Sequence, residues 1–173
     1  MKTLIFFPHA LLRWLILPIL LVGSLLSAQT VRAAGPCSPG NVHAGSITAD
    51  ETWCASGDLT HYLAGNVTVQ AGVTLTIEAG VTVDWAEANW SQYLIVLGHL
   101  DINGTSAKPV LLTRSINYPN QNWGGLFFDG AQGDGSGVIN YATISHAGAN
   151  FLPPGCAGIC GNGQTAVFVK DLA

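Results

Sequence analysis

The sequence predicts an all-β chain wound as a parallel β-helix, a solenoid of short strands, and three observations carry that expectation. The first is a run of unbroken alternation. From Val67 to Trp85 every odd position is apolar and every even position is polar or glycine, the period of strands that bury one face. The second is the length of the run. Its 19 residues would extend about 60 Å as one strand at roughly 3.3 Å per residue, whereas strands in globular proteins seldom pass about 10 residues. The third is recurrence. An offset of 19 residues lays Leu75 on Leu94, Ile77 on Val96, Val81 on Leu100 and Val83 on Ile102, as a repeat architecture requires.

The elements follow in order. Residues 1–33 have the three parts of a secretory signal peptide: Lys2 and Arg13, the apolar run Trp14–Ala28, and the small residues Val31 and Ala33 before a cleavage point. That run is shorter than the roughly 20 residues a membrane span needs, so no span is expected after cleavage. Residues 34–46 read as a linker. Residues 47–173 read as the β-helix, with Ile47, Trp53 and Leu63 opening the core. Within the alternating run the strands are Val67–Val69, Val73–Ile77 and Val81–Val83, with Gly72 and Gly80 at the bends, where glycine accepts dihedrals that other residues resist. Outward threonines at 68, 74, 76 and 82 suit strand surfaces. Further core positions are expected at Val110 and Leu112, Leu126 and Phe128, then Val138, Tyr141 and Ile144, and last Val167 and Val169. Thr113–Trp123, rich in Asn and Pro, reads as a loop between strands. The last apolar pair reads as the start of a rung, so the β-helix is expected to be incomplete at its C-terminal end.

Composition narrows the function. Without residues 1–33 the chain keeps Lys108, Arg114 and Lys170 against ten acidic residues, a balance of −7. Nucleic acid and anionic lipid are therefore not expected partners, because both need clustered cations. The four cysteines, Cys37, Cys54, Cys156 and Cys160, are expected to form disulfides in an oxidising compartment. Three connectivities are open, and proximity favours Cys37–Cys54 with Cys156–Cys160. A metal alternative would join "CAGIC" to His146, without the second ligand pair that zinc sites usually show.

The stretches "GNVTVQAGVTLTIEAGVTVDW", "YLIVLGHLDINGTSAKPVLLT", "NWGGLFFDG" and "INYATISHAG" resemble, in that order, successive rungs of the right-handed parallel β-helix repeat proteins of the bacterial cell surface. The resemblance runs from about Ile47 to Gly148. It implies a right-handed coil, in line with the general hand of parallel crossovers. It also implies a secreted or surface-attached module with a structural, adhesive or glycan-binding role, partnered by polysaccharide or another surface protein. Because the same rungs carry some polysaccharide lyases and glycoside hydrolases, a fragment of such an enzyme is the alternative, and fold does not decide between them.

Enzymes resembling this fold need grouped carboxylates, with calcium and a base in the lyases, or as an acid paired with a base or nucleophile in the hydrolases. Here Asp84, Glu87, Asp101, Asp129 and Asp134 are scattered, so an enzyme is the less favoured reading. Asp101 is expected to be outward and solvated. "DGAQGDGSG" is the one calcium-like stretch, with Asp129 and Asp134 as ligands, although glycine and aspartate also make ordinary turns. No cofactor is otherwise expected. His43, His61, His99 and His146 show no positioned partner and read as structural. Trp90, Tyr93 and Tyr118 are placed in loops as a sugar-contacting platform, because aromatic faces suit sugar rings. Trp85 and Trp123 read as core.

Overall fold

The computed structural model describes residues 34–38, 40–86, 92–148 and 166–170. The expected signal peptide, Trp90, and the cysteines Cys156 and Cys160 lie outside the described residues. The described chain is all strand and turn. In order it carries β1 (Val42–Ile47), β2 (Glu51–Trp53), β3 (Thr60–Val69), β4 (Thr74–Glu78), β5 (Thr82–Trp85) and β6 (Tyr93–Val96). There follow β7 (His99–Asn103), β8 (Val110–Arg114), β9 (Gly125–Asp129), β10 (Ser136–Asn140), β11 (Ala142–Ile144) and β12 (Val167–Lys170). Every strand pairing is parallel.

The pairings sort the strands into three faces. On the first face Thr60–Leu63 of β3 pairs with β5, β5 with β8, and β8 with β11. On the second, Val67–Val69 of β3 pairs with β6, β6 with β9, and β9 with β12. The third runs β2, β4, β7, β10. Strand β3 serves two faces because the chain turns a corner at Gly65, whose φ of +136° is closed to residues with a Cβ. β1 does the same through a register break between His43 and Gly45. It begins inside the stretch expected as a linker, so pairing with β3 starts at Val42. One circuit of three short strands is thus a rung, and each rung buries the next one's apolar row.

The alternation breaks around Gly72 and Gly80 as expected, but Val67–Val69 is the end of the ten-residue β3, β4 and β5 each start one residue later than expected, and the 19-residue repeat is not the rung. Leu75 lies beside Leu100 and Ile77 beside Ile102, while Leu94 lies beside Val67. Parity conserved on every face lets apolar positions match at many offsets, and register is set instead by the corner lengths. At the corner between the first and second faces these grow: residues 86–92 separate β5 from β6, 115–124 separate β8 from β9, and 145–166 separate β11 from β12. The expected Thr113–Trp123 loop is the middle of these.

The core is the stack of inward rows: Val67, Leu94 and Leu126; Val69, Val96 and Phe128; Leu75 and Leu100; Ile77 and Ile102; Val83 and Leu112. Trp85 and Trp123 are buried as expected and stack with ring centroids 3.7 Å apart and planes at 16°. Val138 and Tyr141 are corrections. The inward positions of β10 are Gly137 and Ile139, beside Leu100 and Ile102. Val138 therefore faces outward, although on this last described strand of its face the inward Ile139 is also 41% exposed; Tyr141 sits in a turn, 64% exposed with φ +44°, and Val169, expected in the core, lies beside Phe128 but is 57% exposed.

Candidate functional site

Strand parity places the chemistry of β7. Leu100 and Ile102 are fully buried, so His99, Asp101 and Asn103 project from the opposite, outer side. The next rung sets Ser136 beside His99, Val138 beside Asp101 and Asn140 beside Asn103. Gly98 and Gly133 permit this close stacking, since a Cβ at either would meet a backbone oxygen of the neighbouring rung at 2.2 Å or less.

The imidazole of His99 bridges two partners. Its Nε2 lies 2.9 Å from Asp101 Oδ1 and its Nδ1 lies 2.7 Å from Ser136 Oγ. A carboxylate only accepts, so Nε2 carries the hydrogen. In the neutral ring Nδ1 is then an acceptor, and the Ser136 hydroxyl donates to it. The result is a hydroxyl, a base and a carboxylate that orients the base. The site is reachable from solvent, with the His99 and Asp101 side chains 20% and 24% exposed. Behind it the outer row continues into Thr74 and Thr76 of β4, which are buried.

A second histidine cluster lies inward at the start of the coil. His43, Trp53 and His61 stack, with centroids 4.4 Å apart for His43–Trp53 and 5.1 Å for His43–His61. His61 Nε2 donates to the Cys54 carbonyl at 3.2 Å, leaving its Nδ1 to accept from His43 Nε2 at 2.8 Å. Trp53 Nε1 donates to Glu51 Oε1 at 2.8 Å, and the same oxygen lies 3.6 Å from His43 Nδ1. Burial, and after it the neighbouring His61, lowers the pKa of His43 to about 4. Burial also lowers His61, against the opposing pull of the Cys54 carbonyl, Asp58 and Glu51. The disulfide Cys37–Cys54 closes this end, beside a cleft of about 260 Å³ lined in part by Asn41, Asp58 and His61.

The residues singled out from the sequence fall elsewhere. Tyr93 is not a loop residue: it opens β6, is buried, and packs so closely over Gly124 that a Cβ there would meet its ring at 2.4 Å. Tyr118 is in a loop as expected and is 37% exposed, at the corner between the first and second faces. Asp129 is fully buried and closes a turn, accepting from Ala131 N at 3.1 Å and Gln132 Nε2 at 2.8 Å, with Lys170 Nζ at 3.8 Å. Its carboxylate is thus engaged by the protein itself, and Asp134 follows in the same connection. Among the described residues no group of three or more His, Cys, Asp or Glu side chains is placed to hold a metal ion. The acids remain apart: Asp84 lies on the first face with its carboxyl pKa raised by burial, Asp129 ends a strand of the second, and Asp101 lies on the third.

Missed from the sequence was the partnership of His99. The spacing His99–Asp101 was visible and on a strand means one face. Ser136 lies 37 positions further on and is brought alongside only by the register of β10.

Residues 45–148 match the family model described as a pectate-lyase like beta helix domain, more than half of the chain. No curated protein and no solved structure gives a match. Among the described residues no helix is long and apolar enough to cross a membrane.

Proposed function

The chain belongs to the pectate-lyase-like beta-helix domain family, and from that premise we propose that it is an extracellular β-helix module that binds glycan on the outer side of its third face. The observation that carries this reading is the two-rung strip of β7 and β10. It sets an imidazole beside a hydroxyl, a carboxylate beside an exposed valine, and one amide beside another, all in register. Such a strip offers donors, acceptors and an apolar patch in a row, the mixture a sugar chain's hydroxyls and ring faces require. The signal-like N-terminus and the Cys37–Cys54 disulfide support an oxidising, extracellular setting.

The test is calorimetric titration of the protein with a panel of neutral and acidic polysaccharides. Replacing Asn103 and Asn140 together by alanine removes amide hydrogen bonds worth about 0.5–1.5 kcal/mol each and is expected to weaken binding about tenfold. Tyr118→Ala is expected to leave it unchanged. If Tyr118→Ala weakens binding and the asparagine pair does not, the binding surface belongs at the loop corner. If no polysaccharide binds, the reading is wrong.

A further inference from the structure

We propose that Ser136 is a nucleophile and that the outer strip removes short acyl groups esterified to the glycan it binds, an inference that rests on the glycan reading for its substrate and on geometry for its chemistry. The geometry is the linear relay already described: Ser136 Oγ to His99 Nδ1 at 2.7 Å, and His99 Nε2 to Asp101 Oδ1 at 2.9 Å. A serine hydroxyl is a weak nucleophile until a base takes its proton, and an imidazole held in one tautomer by a carboxylate is the usual base. Roles and distances define such a triad, whatever the fold or the order of residues. Here the ring is used in the reverse sense, with the hydroxyl at Nδ1 and the carboxylate at Nε2.

Accessibility and shape favour an acyl ester as substrate. The imidazole and carboxylate are partly exposed, unlike the buried His43 and His61. Val138 follows Ser136 by two positions on the same outer side, lies beside Asp101 in register, and is 47% exposed. It gives a small apolar surface next to the hydroxyl, fitting a short acyl chain. The sugar alcohol would lie along the polar remainder of the strip.

The chemistry balances with water alone. Ser136 Oγ bonds to the ester carbonyl carbon as its proton passes to His99 Nδ1. The bond from that carbon to the sugar oxygen breaks, and the departing oxygen takes the proton from His99. Water then adds to the acyl-serine, giving its proton to His99. The carbon–Oγ bond breaks, the proton returns to Ser136, and the carboxylic acid leaves. Asp101 is a positioning residue throughout, stabilising the imidazolium without accepting its proton.

The test is to treat the protein with a fluorophosphonate probe and locate the label by peptide mass spectrometry, then to measure acetate release from p-nitrophenyl acetate and from O-acetylated polysaccharide. Labelling is expected at Ser136 and lost in Ser136→Ala. His99→Ala is expected to lower acetate release at least a hundredfold, within the range a positioned base supplies. Asp101→Asn is expected to lower kcat with KM unchanged, which a purely structural role would not do. Should Ser136→Ala fail to fold, Ser136→Cys serves: its thiol should react with iodoacetamide faster than the same thiol in the His99→Ala background. Absence of label and of enhanced thiol reactivity overturns the inference and leaves glycan binding to its own titration. Label at Ser136 without release from any acylated polysaccharide overturns the substrate class.

Discussion

Among the described residues stand two histidine–carboxylate networks, one turned into the coil and one turned out of it. At the N-terminal end His43 lies 3.6 Å from Glu51, stacked on Trp53 and bonded to His61. On the third face His99 lies 2.9 Å from Asp101 and receives Ser136. The residue types are nearly the same. What separates them is strand parity and the rung's neighbours. The inward pair is buried, so its rings stay neutral and serve as a polar plug for the first rung. The outward pair keeps water access, as the chemistry proposed for it requires. Here the face toward which each ring points, and what covers that face, decides whether an imidazole is enclosed or open to solvent.

The sharpest way to break that contrast is to remove the largest ring of the inward network. Trp53 is fully buried and stacks on both His43 and His61. Trp53→Ala is expected to destabilise the fold by about 3–5 kcal/mol, the usual loss for a buried tryptophan, read as a fall in urea midpoint. A loss under about 1 kcal/mol would mean that the first rung is not integral to the cooperative core.

Acid should distinguish the networks next. An unfolded histidine binds its proton near 6.5, whereas His43 in the fold binds it only near 4. Between those values the unfolded chain holds more protons, so stability is full above about 6.5 and falls as pH drops toward 4. The integrated loss is on the order of 3 kcal/mol, with His61, shifted the same way, adding to it. Urea unfolding at pH 7 and pH 5 measures the slope, and His43→Gln should flatten it. An equal slope in the variant would show that the inward ring is not the acid-sensitive element.

How much of this was legible follows from the same parity. Alternation from Val67 to Trp85 named the inward rows and the breaks between strands, because side-chain direction is local. Register was not legible, since it depends on corner lengths that alternation does not encode; the 19-residue offset failed for that reason. Tyr93 was misplaced although a signal existed. "YLIV" is apolar at four successive positions, the mark of a strand buried on both sides, and Tyr93 and Phe127 are both buried outside the main core. Asp129 was legible only as a turn residue or a calcium ligand, because turns and calcium loops use the same residues, and in the fold its carboxylate closes a turn. The His99–Asp101 pair was readable as two residues on one side of a strand, but its meaning needed Ser136 from the next rung.

The smallest expected effect is the most telling. His99→Ala removes two hydrogen bonds on a partly exposed surface, where a bond contributes about 1 kcal/mol and water can replace the lost partner. The unfolding midpoint should therefore move little, by the equivalent of about 1 kcal/mol or less. If His99 and Trp53 prove equally necessary for stability, the outward network is only another plug, and parity does not divide structure from chemistry in this coil. If His99→Ala leaves the fold intact, the Ser136–His99–Asp101 relay is maintained on the surface without being needed to hold the rungs together. Polar groups of that kind, aligned on an accessible strip and dispensable for folding, are what a site for chemistry on a bound chain requires.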